Sequence, residues 1–403
     1  MCISEFGGVM DKQSYKLNRN SRLLIGTNLI NNILYLFLNT FMVAYFFTLT
    51  NYDYKLISIY YVIIHVFLGL CFVVLGNLVK SKHSLTVFRV GIILHALYVL
   101  LVIFLKEKIV DYYLYLGIFY GIVQGTYWSS GHTLITKATS GNSAKSYVSV
   151  NSILTKIFKI FFPFVFGASI AVSSFSTAGA YVLVLSLFQL ILSLLLKQDV
   201  AEANEKFDLI AYVKVLKENK LTNIKSCYRV MFYEGIVKYL LETLITIVIV
   251  MTFKTALNLG ILTTIFAICS IFTVYFFHRY YKNREPKKIF TFCSIFLFLG
   301  VLLMVIDINT VTVIIYNFVI SICMTILINY ASMKRYNCLD TDFLKKYTVE
   351  HQAIADIYMA ISRILGYFVL FLVSFSDNII YFKGLLIVIT FCFIVYTREL
   401  RKI

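Results

Sequence analysis

The chain reads as long apolar runs separated by short polar connections. Twelve runs stand out, at residues 23–50, 56–79, 85–105, 112–135, 147–172, 178–196, 229–252, 256–278, 289–306, 310–330, 352–375 and 379–397. A helix needs about 20 apolar residues to cross the hydrocarbon layer of a bilayer. No water is available there, so backbone N–H and C=O groups must pair within the segment, which predicts helices rather than open strands. The pattern predicts an all-α polytopic membrane protein with twelve transmembrane helices in two six-helix bundles. One charged stretch divides the runs, giving residues 1–196 as a first bundle, 197–228 as a linker and 229–403 as a second bundle.

The polar connections predict orientation. Counted on alternate sides of the runs, 26 lysines and arginines fall on one side and 4 on the other. The rich side holds both termini and the connections 2–3, 4–5, 6–7, 8–9 and 10–11. Basic connections stay in the cytoplasm, so both termini are predicted to be cytoplasmic. The net charge of +17 is then a topology signal and predicts no nucleic-acid partner. Clusters such as Arg279, Lys282, Arg284, Lys287 and Lys288 instead suit membrane lipids with anionic head groups. Within the linker, Phe207, Ile210, Ala211, Val213 and Leu216 predict the apolar stripe of a surface helix, either a tether between bundles or a regulatory docking site.

Composition narrows the function. The chain is 60% hydrophobic with mean hydropathy +0.83, and only 14% of residues are charged, against about 25% in soluble proteins. A protein with so little outside the bilayer acts within or across it. Eight cysteines show no C-x-x-C pair, which predicts no disulfide framework, metal site or cofactor. There is no G-x-x-x-x-G-K-[ST] loop and no H-E-x-x-H or G-x-S-x-G element, so neither an ATPase nor another enzyme is predicted. The polar start, to about Arg22, does not read as a cleavable leader.

The two halves repeat weakly at an offset near 202 residues. "GNLVKSKHS" falls opposite "HRYYKNREP", and "SYVSVNSILTKIFKIFFPFVFG" opposite "VEHQAIADIYMAISRILGYFVL". Parallel repeats are a feature of transporters that rock two halves around a midplane site. With 6+6 runs, a long central connection and this repeat, the whole chain resembles the major facilitator superfamily. That family's loop 2–3 pattern is G-x-L-x-D-R-x-G-R-R. Here Gly76, Leu78, Lys80 and Lys82 keep the glycine, the leucine and the basic character, while the aspartate is absent. The resemblance makes Gly76, Lys80 and Lys82 gating-loop candidates. Of the exporter element G-x-x-x-G-P-x-x-G-G, "FFPFVFG" retains only Pro163 and Gly167. The segment "GTYWSS" with the run after it is similar to members from Gram-positive bacteria, which implies a bacterial cytoplasmic membrane. The resemblance further implies a monomeric secondary active transporter that moves a small solute by alternating access, driven by the proton gradient. The missing aspartate keeps an alternative open: a non-transporting sensor, immunity or assembly protein on a degenerate transporter fold.

Ionisable groups inside a bilayer are costly unless paired or hydrated, so each is a functional candidate. Run seven carries Glu234, Lys238 and Glu242 at i, i+4 and i+8, on one broad face. Run eleven carries Asp356 and Arg363, two turns apart, and run five carries Lys156 and Lys159. Glu234, Glu242 and Asp356 are proton-coupling candidates. Lys156, Lys159, Lys238 and Arg363 are candidates to neutralise a substrate. The bland alternative is a set of fixed inter-helix ion pairs. Four basic groups against three acidic ones favour a substrate with an anionic or zwitterionic portion. In run one, Asn28, Asn32 and Asn39 form a polar stripe that either lines a cavity or bonds neighbouring helices. In run four, Gly117, Gly121 and Gly125 predict close helix packing, and Gln124 and Trp128 are cavity candidates, with interface anchoring as the other role for Trp128. His65, His95 and His132 lack ligand-like spacing and read as packed residues rather than a proton relay.

Overall fold

The computed structural model describes residues 17–81, 83–139, 143–197, 206–218, 222–281, 287–338, 346–376 and 378–402. Among these, eleven helices are long and apolar enough to cross a membrane. We label the long helices α1 (Arg19–Leu49), α2 (Lys55–Val74), α3 (Ser84–Leu105), α4 (Tyr113–Ala138), α5 (Ser143–Val172) and α6 (Phe175–Leu194) in the first half. In the second half they are α7 (Ile224–Phe253), α8 (Ala256–Tyr281), α9 (Lys287–Ile306), α10 (Thr310–Cys338), α11 (Thr348–Val373) and α12 (Ile379–Leu400). The helix outside the eleven is α4, which has 26 residues. Its glycines, Gln124 and hydroxyl-bearing residues lower its hydropathy because so much of it faces protein. A Cβ added at Gly121 would lie 2.6 Å from the Ile64 carbonyl oxygen, so small residues let α4 sit directly on the α2 backbone.

Local chemistry fixes several helix ends. Asn18, Ser174 and Asn378 accept from backbone N–H groups at the starts of α1, α6 and α12, which satisfies donors that the first turn leaves unpaired. At the end of the bundle opposite the termini the connections are tight. Asn51, Tyr52, Lys106 and Lys254 adopt positive φ there, between 49° and 67°.

The packing repeats from half to half. In the first half α1 packs on α5 and α6, α2 on α4, and α3 on α4 and α6. In the second half α7 packs on α11 and α12, α8 on α10, and α9 on α10 and α12. Each pairing recurs six helices later. The halves meet along α2 against α11 and α5 against α8, and the far end of α1 touches the far end of α7. Apolar side chains such as Leu70, Phe104, Phe161, Leu194, Phe276 and Leu299 stay exposed on the outer surface, where lipid would cover them.

One expectation for the central stretch is corrected. A helix forms at Leu209–Glu218, but its buried face is Tyr212 and Leu216, and Ile210 is 84% exposed. The helix leading into α7 starts before the apolar run that opens at residue 229. Helix covers Thr222–Glu234 because Tyr228 and Met231, on its inner side, pack with Tyr212 and Met359.

Candidate functional site

A cavity of about 380 Å³ lies between the halves. Its wall comes from α1, α2, α4 and α5 on one side and from α7 and α11 on the other. Two of these helices carry a wide π turn at the cavity: Phe37–Phe41 in α1 and Gly235–Leu240 in α7. Such turns insert an extra residue, re-aim the following side chains and recur at functional sites. At Gly235 an added Cβ would fall 1.8 Å from the Ser362 Oγ, so glycine lets α7 and α11 close up beside the turn.

The π turns present matching polar groups. Asn39 donates to the Tyr35 carbonyl at 3.0 Å and to the Tyr120 hydroxyl at 3.2 Å, and accepts from the Tyr61 hydroxyl at 3.1 Å. In the second half the Thr243 and Tyr367 hydroxyls bond at 2.7 Å, and Tyr367 donates to the Tyr239 carbonyl at 3.3 Å. The Tyr61 and Tyr367 rings then stack across the junction of the halves, 4.6 Å apart and 10° from parallel. His65 stacks beside both rings.

The charged groups are arranged unequally. Arg363 is only 8% exposed. Its guanidinium lies 3.5 Å above the Tyr239 ring, its Nη2 is 2.7 Å from the Met359 sulfur, and its Nε has no hydrogen-bond partner. Lys238 sits 4.7 Å over the same ring. Glu242 and Lys159 open into the cavity. Asp356 lies 3.9 Å from the Nε2 of His132. His132 stacks on Trp128, and Trp128 donates to the Gln124 oxygen at 2.9 Å. Trp128 therefore lines the cavity wall.

At the termini-bearing end, Lys80 and Glu350 form a buried ion pair. Glu350 also accepts from the Asp208 N–H at 3.1 Å, and Asn77 accepts from the Phe207 N–H at 3.1 Å. The Phe207 ring fills the space over Gly76, where a Cβ would lie 2.4 Å from it. One turn into α11, the His351 Nδ1 meets the hydroxyls of Tyr212 at 2.9 Å and Tyr228 at 2.7 Å. Burial pushes the Tyr212 hydroxyl up to about 12, although the bond to Tyr228 opposes the shift.

Residues 29–337 match the family model of the Major Facilitator Superfamily. The chain belongs to the Major Facilitator Superfamily. It is thus a membrane protein of a transporter family and not an enzyme. No curated protein matches its sequence. Among solved structures it is similar to a bacterial homologue of the iron transporter ferroportin in an inward-facing state, with TM-score 0.68 and 12% identity over 96% of this chain and 99% of that one. It is also similar to a mutant of the nucleoside transporter NupG, with TM-score 0.67 and 12% identity over 95% of this chain and 99% of that one. At such identity the likeness shows the Major Facilitator fold.

In Major Facilitator terms the loop 2–3 pattern places its aspartate at position 80. Here that position is Lys80, and the acid sits on α11 as Glu350. A buried loop-to-helix ion pair forms all the same. Ten sequence candidates meet at the cavity: Asn32, Asn39, Gln124, Trp128, Lys159, Glu234, Lys238, Glu242, Asp356 and Arg363. Two stand off its wall. Asn28 donates to Asn151 at 3.0 Å within the α1–α5 seam, and Lys156 is half-buried elsewhere on α5. Gly76 and Lys80 lie at the loop contact, and Lys82 falls outside the described residues. Sequence reasoning missed Tyr35, Tyr61, Tyr239, Tyr367, His351 and Glu350. Thirty tyrosines gave no basis for choosing four.

Proposed function

We propose that this protein is a secondary active transporter that moves a small solute by alternating access, coupled to a proton gradient. The observation that carries this reading is the cavity between two pseudo-symmetric halves, into which α7 and α11 bring Glu234, Glu242 and Asp356. A carboxylate can take up and release a proton, so these three groups are suited to carry one, and α7 and α11 are suited to change partners as the halves rock. The solved neighbours are a nucleoside transporter and a homologue of an iron transporter, so no substrate is taken from them. The same reading places both termini in the cytoplasm, the protein in a bacterial cytoplasmic membrane as a monomer, and the half-boundary within residues 197–228.

The test is flux through proteoliposomes holding the full chain, with proton or sodium gradients imposed and a broad set of labelled solutes offered. At least one solute should accumulate with the gradient, and Glu242→Gln should cut that accumulation while insertion stays normal. No flux under any gradient would contradict the reading and favour a sensor, immunity or assembly protein.

A further inference from the structure

Two opposite charges face the cavity without satisfying each other. Arg363 is nine-tenths buried, yet its guanidinium meets only an aromatic ring and a thioether, and its Nε points to no acceptor. Among the described residues no carboxylate lies within 4.0 Å of it. Across the same space Glu242 opens into the cavity and makes no side-chain hydrogen bond. Tyr35 and Tyr367 line the same cavity as both groups. The two charges therefore address one volume from α11 and α7 and remain apart in it.

We infer that the ligand of this cavity is a compact zwitterion, with its anionic group held by Arg363 and its cationic group by Glu242. The inference rests on the transport reading above and names its substrate class. A buried cation without a counter-ion is costly, and a ring face and a sulfur offset that cost only in part. An anionic ligand group supplies the missing partner. A plain anion would stand opposite the Glu242 carboxylate. A plain cation would leave Arg363 uncompensated and would also meet Lys159, which opens into the cavity from α5. With Glu242 ionised, a ligand carrying both charges relieves both sides. The wall charges agree: Lys159, Lys238 and Arg363 against Glu234, Glu242 and Asp356. With Lys156 off the wall, the four-to-three excess expected from sequence becomes a balance. The cavity volume of about 380 Å³ lies at the small end of the range of ligand sites, about 300–1,000 Å³.

Trp128 is the only tryptophan in the chain and lines the cavity, so its fluorescence reports occupancy. The purified full-length protein would be titrated with leucine, phenylalanine, glutamine and histidine, each in three charge forms: free zwitterion, N-acetyl anion and carboxamide cation. Calorimetry would provide a second readout. For at least one body the zwitterion should bind, with both blocked forms weaker by roughly 30-fold, as losing one partner of a desolvated charge pair implies. Glu242→Gln should narrow the gap between the zwitterion and its N-acetyl form. Arg363→Gln should narrow the gap between the zwitterion and its amide. If Arg363→Gln does not fold, the cavity-exposed Glu242→Gln still decides. The inference is overturned if a blocked form binds as tightly as its zwitterion, if no body binds as a zwitterion, or if Glu242→Gln leaves the gap unchanged. Zwitterion binding without flux would sink the transport reading and leave this inference standing. Flux of blocked forms alone would do the reverse.

Discussion

Lys80 and Glu350, 270 residues apart in sequence, form an ion pair with both side chains almost fully buried. The pair ties the loop after α2 to the start of α11, and the Asp208 N–H joins it from the linker side. Removing one partner of a buried pair leaves the other charge stranded, at a cost of about 3–5 kcal/mol. Glu350→Gln should therefore loosen this end. Modification of Cys227, which lines the cavity, should speed up with a water-soluble maleimide as followed by mass spectrometry. The exchange Lys80→Glu with Glu350→Lys should slow it again. An unchanged rate in Glu350→Gln would show that the pair does not hold this end shut.

The α5–α8 seam depends on two glycines. A Cβ at Gly260 would fall 2.4 Å from the Pro163 carbonyl oxygen and 3.1 Å from the Gly167 Cα, whereas one at Gly384 would meet nothing within 4 Å. Gly260→Ala should destabilise by about 1–3 kcal/mol through overpacking. Gly384→Ala should be neutral or stabilise by up to about 1 kcal/mol through helix propensity. Thermal melts of the two variants in one detergent check the contrast. A Tm for Gly260→Ala equal to that of the parent would mean that the helices separate freely.

The linker helix is held by Tyr212, which is buried and bonded to Tyr228 and His351. Tyr212→Phe keeps the ring but leaves two buried polar partners short of a bond, a loss of about 1–3 kcal/mol. Limited trypsin cleavage at Lys214 and Lys217, both exposed, should accelerate. Identical cleavage kinetics would place the docking energy in the apolar contacts alone.

Charge asymmetry predicts the orientation. A reporter fused after the C-terminal residue should read cytoplasmic, and one inserted near Lys108, in the connection between α3 and α4, should read external. The opposite result at either site would change the number of crossings and with it the role of α4.

Much of the fold is legible in sequence because the bilayer imposes helix length. Even α4, which falls outside the eleven, reads as an apolar run at 112–135, and its glycines at four-residue spacing foretell its close packing. The linker was read less well: Ile210 carried weight as an apolar residue, but Tyr212 has both a ring to bury and a hydroxyl to bond, and it won the inner face. The cavity charges were found because ionisable residues are conspicuous in apolar runs. Which neighbour covers each polar group was not legible. Asn28 and Asn32 sit one turn apart, yet Asn151 faces the first within a seam while the second reaches the cavity. The π turns shift the register of α1 and α7 locally, and no residue pattern announced them. Glu350 lies just outside the predicted run 352–375, and only folding sets Lys80 against it.

The central claim is that the site between the halves is reached from either end in turn. Spin-label pairs measure this directly: Leu78 with Lys346 at the Lys80–Glu350 end, and Tyr52 with Phe375 at the opposite end, where Lys55 lies 4.5 Å over the Phe375 ring. Distance distributions in lipid nanodiscs should be bimodal at both ends, and conditions that favour one state must shift both pairs, because a ligand or proton acts only through its differential affinity for the states. The account predicts that the two pairs shift in opposite senses on changing pH, one lengthening as the other shortens. Single, unchanging distances at both ends across pH and added zwitterions would contradict it.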